Sequence, residues 1–406
     1  MRATAARGSW RPARAILHSL PLVAVIVSLT ALVGPRPPAL QAAGPGPQLH
    51  FPLALGAATP GPAGPYYQGE LGYGLSTAHN HCDGRVRELG FGYVKFYVRW
   101  ADYEPQKGAY AWATGAADTL RQAVQDGVRQ GVRVLIRVDT PPAWAAPGSG
   151  NRPPTNPADY GEFMGALARY LKGWVAAYEL WNEPNLSYEW GNAPPDPERY
   201  TALLRAAYPQ IKAADGRVVV VTAGLASTGG DGGAMALNDV EFIERMYQAG
   251  ARGFFDALGS HPYGFANPPE TRNANNVTDF QRAADQHQVM ERYGDGAKKV
   301  WATEFGWIVD PASYGHPEYL SDPLWAGRAW QRVDPQAQAA YLVRAYQYAY
   351  ANWPWMGVML VFNLDFSTVP WYPPAEPMRW YAIVNPDGSP RPAYQALAAM
   401  AKPTRR

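Results

Sequence analysis

The feature that most constrains this chain is an alternation. From about residue 66 onward, short runs rich in Val, Ile, Tyr and Phe alternate with stretches whose apolar residues recur at helical spacing. The strand-like runs fall at 70–74, 91–100, 132–138, 175–183, 217–222, 255–260, 299–304 and 358–363. The helical ones fall at 85–89, 119–130, 156–172, 196–214, 239–249, 277–293, 335–353 and 393–401. Local chemistry supports several of these boundaries. Leu120, Val124 and Val128 share one helical face, and Gly131 stops that helix. Asp196-Pro197-Glu198 offers an acidic cap with proline at the first helical position. A strand that is always followed by a helix must find its next partner by a crossover, so the sheet is parallel. Eight such units predict one closed (β/α)8 barrel over residues 66–403, with no second domain.

Size and composition agree with one large core. The 406 residues are 47% hydrophobic, and a barrel of roughly 250 residues with insertions fills the part after the amino-terminal region. A net charge of +2 with 17% charged residues gives no reason to expect a nucleic-acid partner. Cys82 is the single cysteine, so no intramolecular disulfide can form and a Cys/His zinc cluster is not expected. Aromatic residues make up 13%, and flat rings of this kind stack on sugar faces as well as filling cores.

The amino terminus has a different character. Arg2, Arg7, Arg11 and Arg14 precede an apolar run over 15–33, and small residues follow near Gln41-Ala42-Ala43. This order predicts a signal peptide or an amino-terminal membrane anchor over 1–43, hence a secreted or membrane-tethered protein. Residues 44–65, rich in Gly, Pro and Ala, read as a linker.

Two glutamates end strand-like runs. Pro184 cannot donate to a ladder, so the fourth strand is expected to stop at Glu183, and Glu304 closes the seventh just before Phe305-Gly306-Trp307. They are 121 residues apart, or about 40 per step over three strand-helix units, above the roughly 30 that one such unit needs. Both carboxylates are thus expected on the carboxyl-end face, where a barrel builds its site. Two carboxyl groups across one cleft suit glycosidic bond cleavage with retention, one donating a proton and the other attacking the anomeric carbon. Glu183 reads as the acid/base and Glu304 as the nucleophile, with Asn182 placed to hold the sugar 2-hydroxyl.

Tyr263 is expected to hydrogen-bond Glu304, and Arg99 to supply positive charge to it. His261, Trp144, Trp307 and Trp371 complete the candidate binding set. Each has a plain structural alternative. Glu183 or Glu304 taken alone could be a surface carboxylate, Arg99 could pair with Asp102 or Glu104, and His261 and Tyr263 could be core packing. Trp144 and Trp307, just past strand ends, are candidate sugar platforms; Trp100, Trp190 and Trp371 serve as well for loop packing.

These residues resemble the retaining eight-fold-barrel glycoside hydrolases of clan A. Trp181-Asn182-Glu183-Pro184-Asn185 is similar to the clan's Asn-Glu-Pro motif, Ala302-Thr303-Glu304-Phe305-Gly306-Trp307 to its nucleophile motif, and His261-Pro262-Tyr263 to its strand-six segment. Leu89-Gly90-Phe91-Gly92-Tyr93-Val94-Lys95-Phe96, with Tyr103-Glu104-Pro105 after it, looks most like family 39 and cellulase-like family 5 members. The resemblance covers about residues 69–400 and implies a retaining β-glycosidase acting on a β-linked poly- or oligosaccharide, with no metal or organic cofactor. It leaves open an exo-acting β-xylosidase-like enzyme and, in another class, a non-catalytic glycan-binding barrel. One departure is visible. Many clan members end strand eight in tryptophan beneath the cleaved sugar, whereas this run ends Phe362-Asn363-Leu364-Asp365 and the nearest tryptophan is Trp371.

Overall fold

A computed structural model of the chain describes residues 66–112, 114–148, 150–272 and 277–403. The expected amino-terminal leader and linker lie outside the described residues. Eight parallel strands form the barrel: β1 (Gly72–Ser76), β2 (Tyr93–Arg99), β3 (Arg133–Asp139), β4 (Ala177–Leu180), β5 (Val219–Thr222), β6 (Ala257–His261), β7 (Lys299–Phe305) and β8 (Met356–Val361). Neighbours pair in chain order, β1 pairs with β8, and a single register pair, Val221 with Ala257, closes β5 onto β6. A short extension, Leu225–Ala226, continues the wall beside Ser260 and His261.

The outer helices are α1 (Gly84–Glu88), α2 (Gly115–Arg129), α3 (Pro157–Tyr170), α4 (Pro197–Ala214), α5 (Asp239–Gln248), α6 (Arg282–Arg292), α7 (Pro335–Asn352) and α8 (Pro392–Ala399). Three of them begin in the same way. Asn156, Asp196 and Asp334 accept from the first free backbone N–H groups of α3, α4 and α7, each with proline next, where no donor is needed. Among the described residues no helix is long and apolar enough to cross a membrane.

Strand side chains alternate between two surroundings. Outward residues such as Val94, Phe96, Val134, Ile136 and Leu180 pack under the helices. Inward residues stack in layers. The lower layer is apolar: Tyr93, Leu135, Ala177, Val221, Ala257, Trp301, Val358 and Leu360 fill the barrel. The period of two then puts Lys95, Arg137 and Glu179 one step higher along β2, β3 and β4, all buried. That layer carries the site.

The fourth strand is shorter than the sequence suggested. It ends at Leu180, and residues 181–184 form the turn that follows. Trp181 and Glu183 both adopt left-handed backbone, with φ of 84° and 36°, a conformation that costs non-glycine residues energy and clusters at functional turns. The Trp/Pro/Tyr-rich loop after β7 is folded into short 3₁₀ turns and is stapled at its base, where Ile308–Val309 pairs with Arg332–Val333.

Candidate active site

Glu183 and Glu304 meet above the polar layer. His261, at the end of β6, stands between them: its Nδ1 lies 2.8 Å from Glu183 Oε1 and 3.7 Å from Glu304 Oε2. Those two carboxylate oxygens are therefore no more than about 6.5 Å apart. The imidazole's other nitrogen lies 3.7 Å from Glu179 Oε1. Burial alone would lower the proton affinity of His261, but Glu304, Glu179 and Glu183 together outweigh it and push it up to about 9.

The ring fits because residue 224 is glycine. A Cβ there would stand 2.2 Å from the His261 ring and 2.6 Å from Thr303 Oγ1. The same glycine donates its N–H to Glu179 at 3.1 Å and accepts the N–H of Glu183 at 3.1 Å.

The two glutamates differ in surroundings. Glu304 Oε1 faces Lys95 Nζ at 3.0 Å and Arg137 Nη1 at 3.4 Å, and Oε2 accepts from the Tyr263 hydroxyl at 2.9 Å. Burial raises its proton affinity, yet His261, Lys95 and Arg137 outweigh that and hold the carboxyl below its usual range. Among the described residues Glu183 has only His261 at Oε1, and Oε2 is buried without a hydrogen-bond partner. Burial dominates there, assisted by the charge of Glu304, and the carboxyl is held above its usual range. Beneath them Lys95 Nζ also pairs with Glu179 at 2.7 Å, and Arg137 donates to Asn182 Oδ1 at 2.8 Å and pairs with Asp139 at 2.9 Å. Glu179 is held low despite its burial, by Lys95, His261 and Arg137. A carboxyl held above its usual range beside one held below it can split the roles of proton donor and nucleophile.

A cavity of about 380 Å³ opens beside the pair, on the loops after β2, β3 and β4. Arg137 lines it while also reaching Glu304, and Asp139 and Glu189 stand on the same wall. Burial, opposed by a hydrogen bond from Asn151 and assisted by the charge of Glu183, pushes Glu189 up to about 8. Glu189 Oε2 accepts from Asn151 at 3.0 Å, and Oε1 has no partner.

The other candidates from the sequence fall in several places. Asn182, His261 and Tyr263 join the two glutamates. Arg99 does not reach Glu304. Its side chain is 47% exposed, pairs loosely with Asp102 at 3.8 Å and lines the cavity rim; Lys95 and Arg137 hold the place beside the carboxylate. Trp144 packs edge-on against Trp100 and donates to the carbonyl of Glu104. Trp307 is fully buried and donates to the carbonyl of Asn267 at 2.8 Å, having room only because Gly264 lacks a side chain. Neither tryptophan presents a face to the cavity. Trp371 is 67% exposed beside His79 and Tyr372, and Tyr372 is on the cavity wall. At the end of β8, Phe362 is buried among Tyr263, Tyr381 and Phe366.

The sequence reading missed Lys95, Arg137, Glu179 and Glu189. The first three carried a usable signal: each is a charge spaced two residues from an apolar residue inside a strand whose other positions are buried. A charge so placed must be paired.

The family model for cellulase (glycosyl hydrolase family 5) matches residues 68–311, well over half of the chain. The chain belongs to that family. The match begins before β1 and runs past β7, so both glutamate turns lie within it. Solved structures share the barrel. A family 39 glycoside hydrolase from the gut symbiont Bacteroides cellulosilyticus WH2 superposes with a TM-score of 0.58 at 23% identity, over 80% of this chain and 62% of that one. A glucosidase from Croceicoccus marinus gives 0.56 at 15% identity, over 80% and 66%. The family 39 enzyme from Xanthomonas axonopodis pv. citri gives 0.55 at 17%, over 81% and 65%. The chain thus spans less than two thirds of the length of these neighbours, and likeness at such identities speaks for the fold alone. No curated protein sequence matches the chain.

Proposed function

We propose that this chain is a retaining β-glycosidase, hydrolysing a β-linked poly- or oligosaccharide by double displacement. Glu183 gives its proton to the leaving oxygen while Glu304 attacks the anomeric carbon, forming a covalent glycosyl-enzyme. Glu183, now a base, takes a proton from water, which releases the sugar. The observation that carries the reading is the unequal treatment of two buried carboxyls across one histidine. Glu304 is given three donors, and Glu183 is left with one free oxygen. The upper bound on their oxygen separation favours retention, which needs about 5–5.5 Å, over inversion, which needs room for a water at about 6.5–9.5 Å. Asn182, fixed by Arg137, is held to meet the sugar 2-hydroxyl. The order of basic, apolar and small residues over 2–43 supports export.

Paired substitution tests the roles. Glu304→Gln should abolish turnover of a β-linked substrate. Glu183→Gln should slow poor leaving groups far more than activated aryl glycosides, whose departure needs little protonation. Near-normal hydrolysis by both variants would end this reading, and inverted product stereochemistry would end its retaining part. Product sizing from a polysaccharide, against activity on aryl monosaccharides, separates endo from exo action.

A further inference from the structure

A second cavity, of about 490 Å³, lies on the same rim of the barrel between the loops after β7 and β8. Tyr314 and Tyr319 come from the first loop, and Arg379, Trp380 and Arg391 from the second. Two arginines here, Arg391 buried and Arg379 half-buried, lack the carboxylate partner that an arginine withdrawn from water ordinarily has. Arg391 is 3% exposed, yet no carboxylate of the described residues stands within ion-pair distance of it. Its Nε donates to Asn385 Oδ1 at 3.1 Å, and Nη1 donates to the carbonyls of Arg379 at 3.3 Å and Ala382 at 2.8 Å. Nη2 has no hydrogen-bond partner among the described residues. Arg379 donates through Nη1 to the carbonyls of Val369 at 2.7 Å and Tyr372 at 3.2 Å, which leaves Nε and Nη2 free. Among the described residues it too has no carboxylate within ion-pair distance. Glu376 and Asp387 belong to the same loop but come within ion-pair distance of neither. Asp387 instead accepts from the Ser389 N–H and hydroxyl. Glu318 pairs with His316, which lines the cavity.

An arginine cannot shed its charge to escape burial, so a buried guanidinium normally meets an anion. Ring faces compensate only in part: Arg391 lies 5.0 Å from the Tyr314 ring and 5.5 Å from that of Trp380. Burial, opposed by Tyr314 and reinforced by the charge of Arg379, pushes Arg391 down to about 10. Two cations side by side with unused donors match the planar fork of a carboxylate. The aromatic walls match the face of a sugar ring.

We infer that this cavity binds a carboxylate-bearing sugar unit, a uronate, of an acidic glycan, with Arg379 and Arg391 meeting the carboxylate and the Tyr314–Trp380 wall meeting the ring. It rests on the glycosidase reading for its substrate and narrows that substrate to a polysaccharide bearing negative charge. The route to the catalytic pair is short. Tyr381, next to Trp380, packs 5.4 Å from Tyr263, the donor to Glu304.

Calorimetric titration of the full chain with methyl β-glucuronide, against methyl β-glucoside and sodium sulfate, tests it without requiring turnover. A failed glycosidase assay and a failed binding assay are therefore separate results. The uronide should bind at least about ten-fold more tightly than the neutral sugar, as expected for charge-assisted hydrogen bonds, and added salt should weaken the preference. Arg379→Gln and Arg391→Gln should remove the preference, while Arg99→Gln in the other cavity should keep it. If Arg391→Gln does not fold, Arg379→Gln decides, because only one of its nitrogens ties down the loop. Equal affinity for the two sugars, preference retained in Arg379→Gln, or preference lost in Arg99→Gln would each overturn the assignment. Sulfate displacing the uronide with equal affinity would overturn its sugar part.

Discussion

Two layers of one barrel interior, a single inward step apart on the same strands, do opposite jobs. Tyr93, Leu135 and Ala177 belong to a sealed apolar plug; Lys95, Arg137 and Glu179, next along β2, β3 and β4, belong to a buried lattice of charges. The plug gains from excluding water and asks only for complementary volume. The lattice is costly to desolvate and is held only because each charge meets another at close range. One backbone frame therefore carries a tolerant floor and an intolerant ceiling, and the floor gives the ceiling its rigidity.

Substitutions can break that contrast. Lys95→Met should have the largest effect. It strands Glu179 and Glu304 without their shared cation, so stability should fall by about 3–5 kcal/mol in urea unfolding. Activity should fall with it, because Glu304 would lose one of the cations that, after His261, hold its carboxyl below the usual range. Leu135→Ala, one layer down, should cost about 2–5 kcal/mol of stability while leaving kcat near normal at temperatures where the chain stays folded. If Leu135→Ala lowered kcat as steeply as Lys95→Met, the division of labour would be wrong.

The next prediction concerns pH. His261 and Glu189 both bind protons more tightly folded than unfolded, with folded values of about 9 and about 8. The stability each contributes is full below its unfolded pKa and is lost as pH rises through the folded one. Thermal stability should therefore decline as pH rises from about 4.5, where Glu189 would ionise in the unfolded chain, to about 9, where His261 loses its proton in the folded one, and Glu189→Gln, which cannot ionise, should flatten the lower part of that decline. An unchanged pH dependence in that variant would mean that Glu189 is already ionised at neutral pH. Tyr263→Phe should act more locally. Loss of one donor to Glu304 raises that carboxyl's pKa, moving the acid limb of kcat/KM upward by about one unit, as a charged hydrogen bond of about 1.5 kcal/mol would. Trp371→Ala should have the smallest effect, within about 0.5 kcal/mol on stability, with a change confined to KM if its exposed face meets substrate.

Much of the fold was legible because its signals are local. Glycine stops, Asx-Pro caps and strand-length apolar runs each act within a few residues, and the eight units follow from them. The pair of glutamates was legible because Pro184 and the Phe305-Gly306 break mark the turns at the carboxyl ends of β4 and β7, although β4 itself stops at Leu180, before the turn that carries Glu183. The remainder depended on register. Arg99 looked like the cation for Glu304 because it ends β2, but two further steps along the strand carry it out to solvent, while Lys95 stays inside. Trp307 looked like a platform because it follows Glu304. Its direction is decided by Gly264, a distant residue whose missing side chain makes room in the core. Arg379 and Arg391 lie in a loop whose fold no periodicity announces.

Gly224 has a consequence for engineering. It meets the proposed catalytic centre through its peptide group, offering a donor to Glu179 and an acceptor to the Glu183 amide. Libraries that vary side chains around the cleft can redraw every wall but this one. A redesign for a new sugar would have to leave that peptide where it is and work around it.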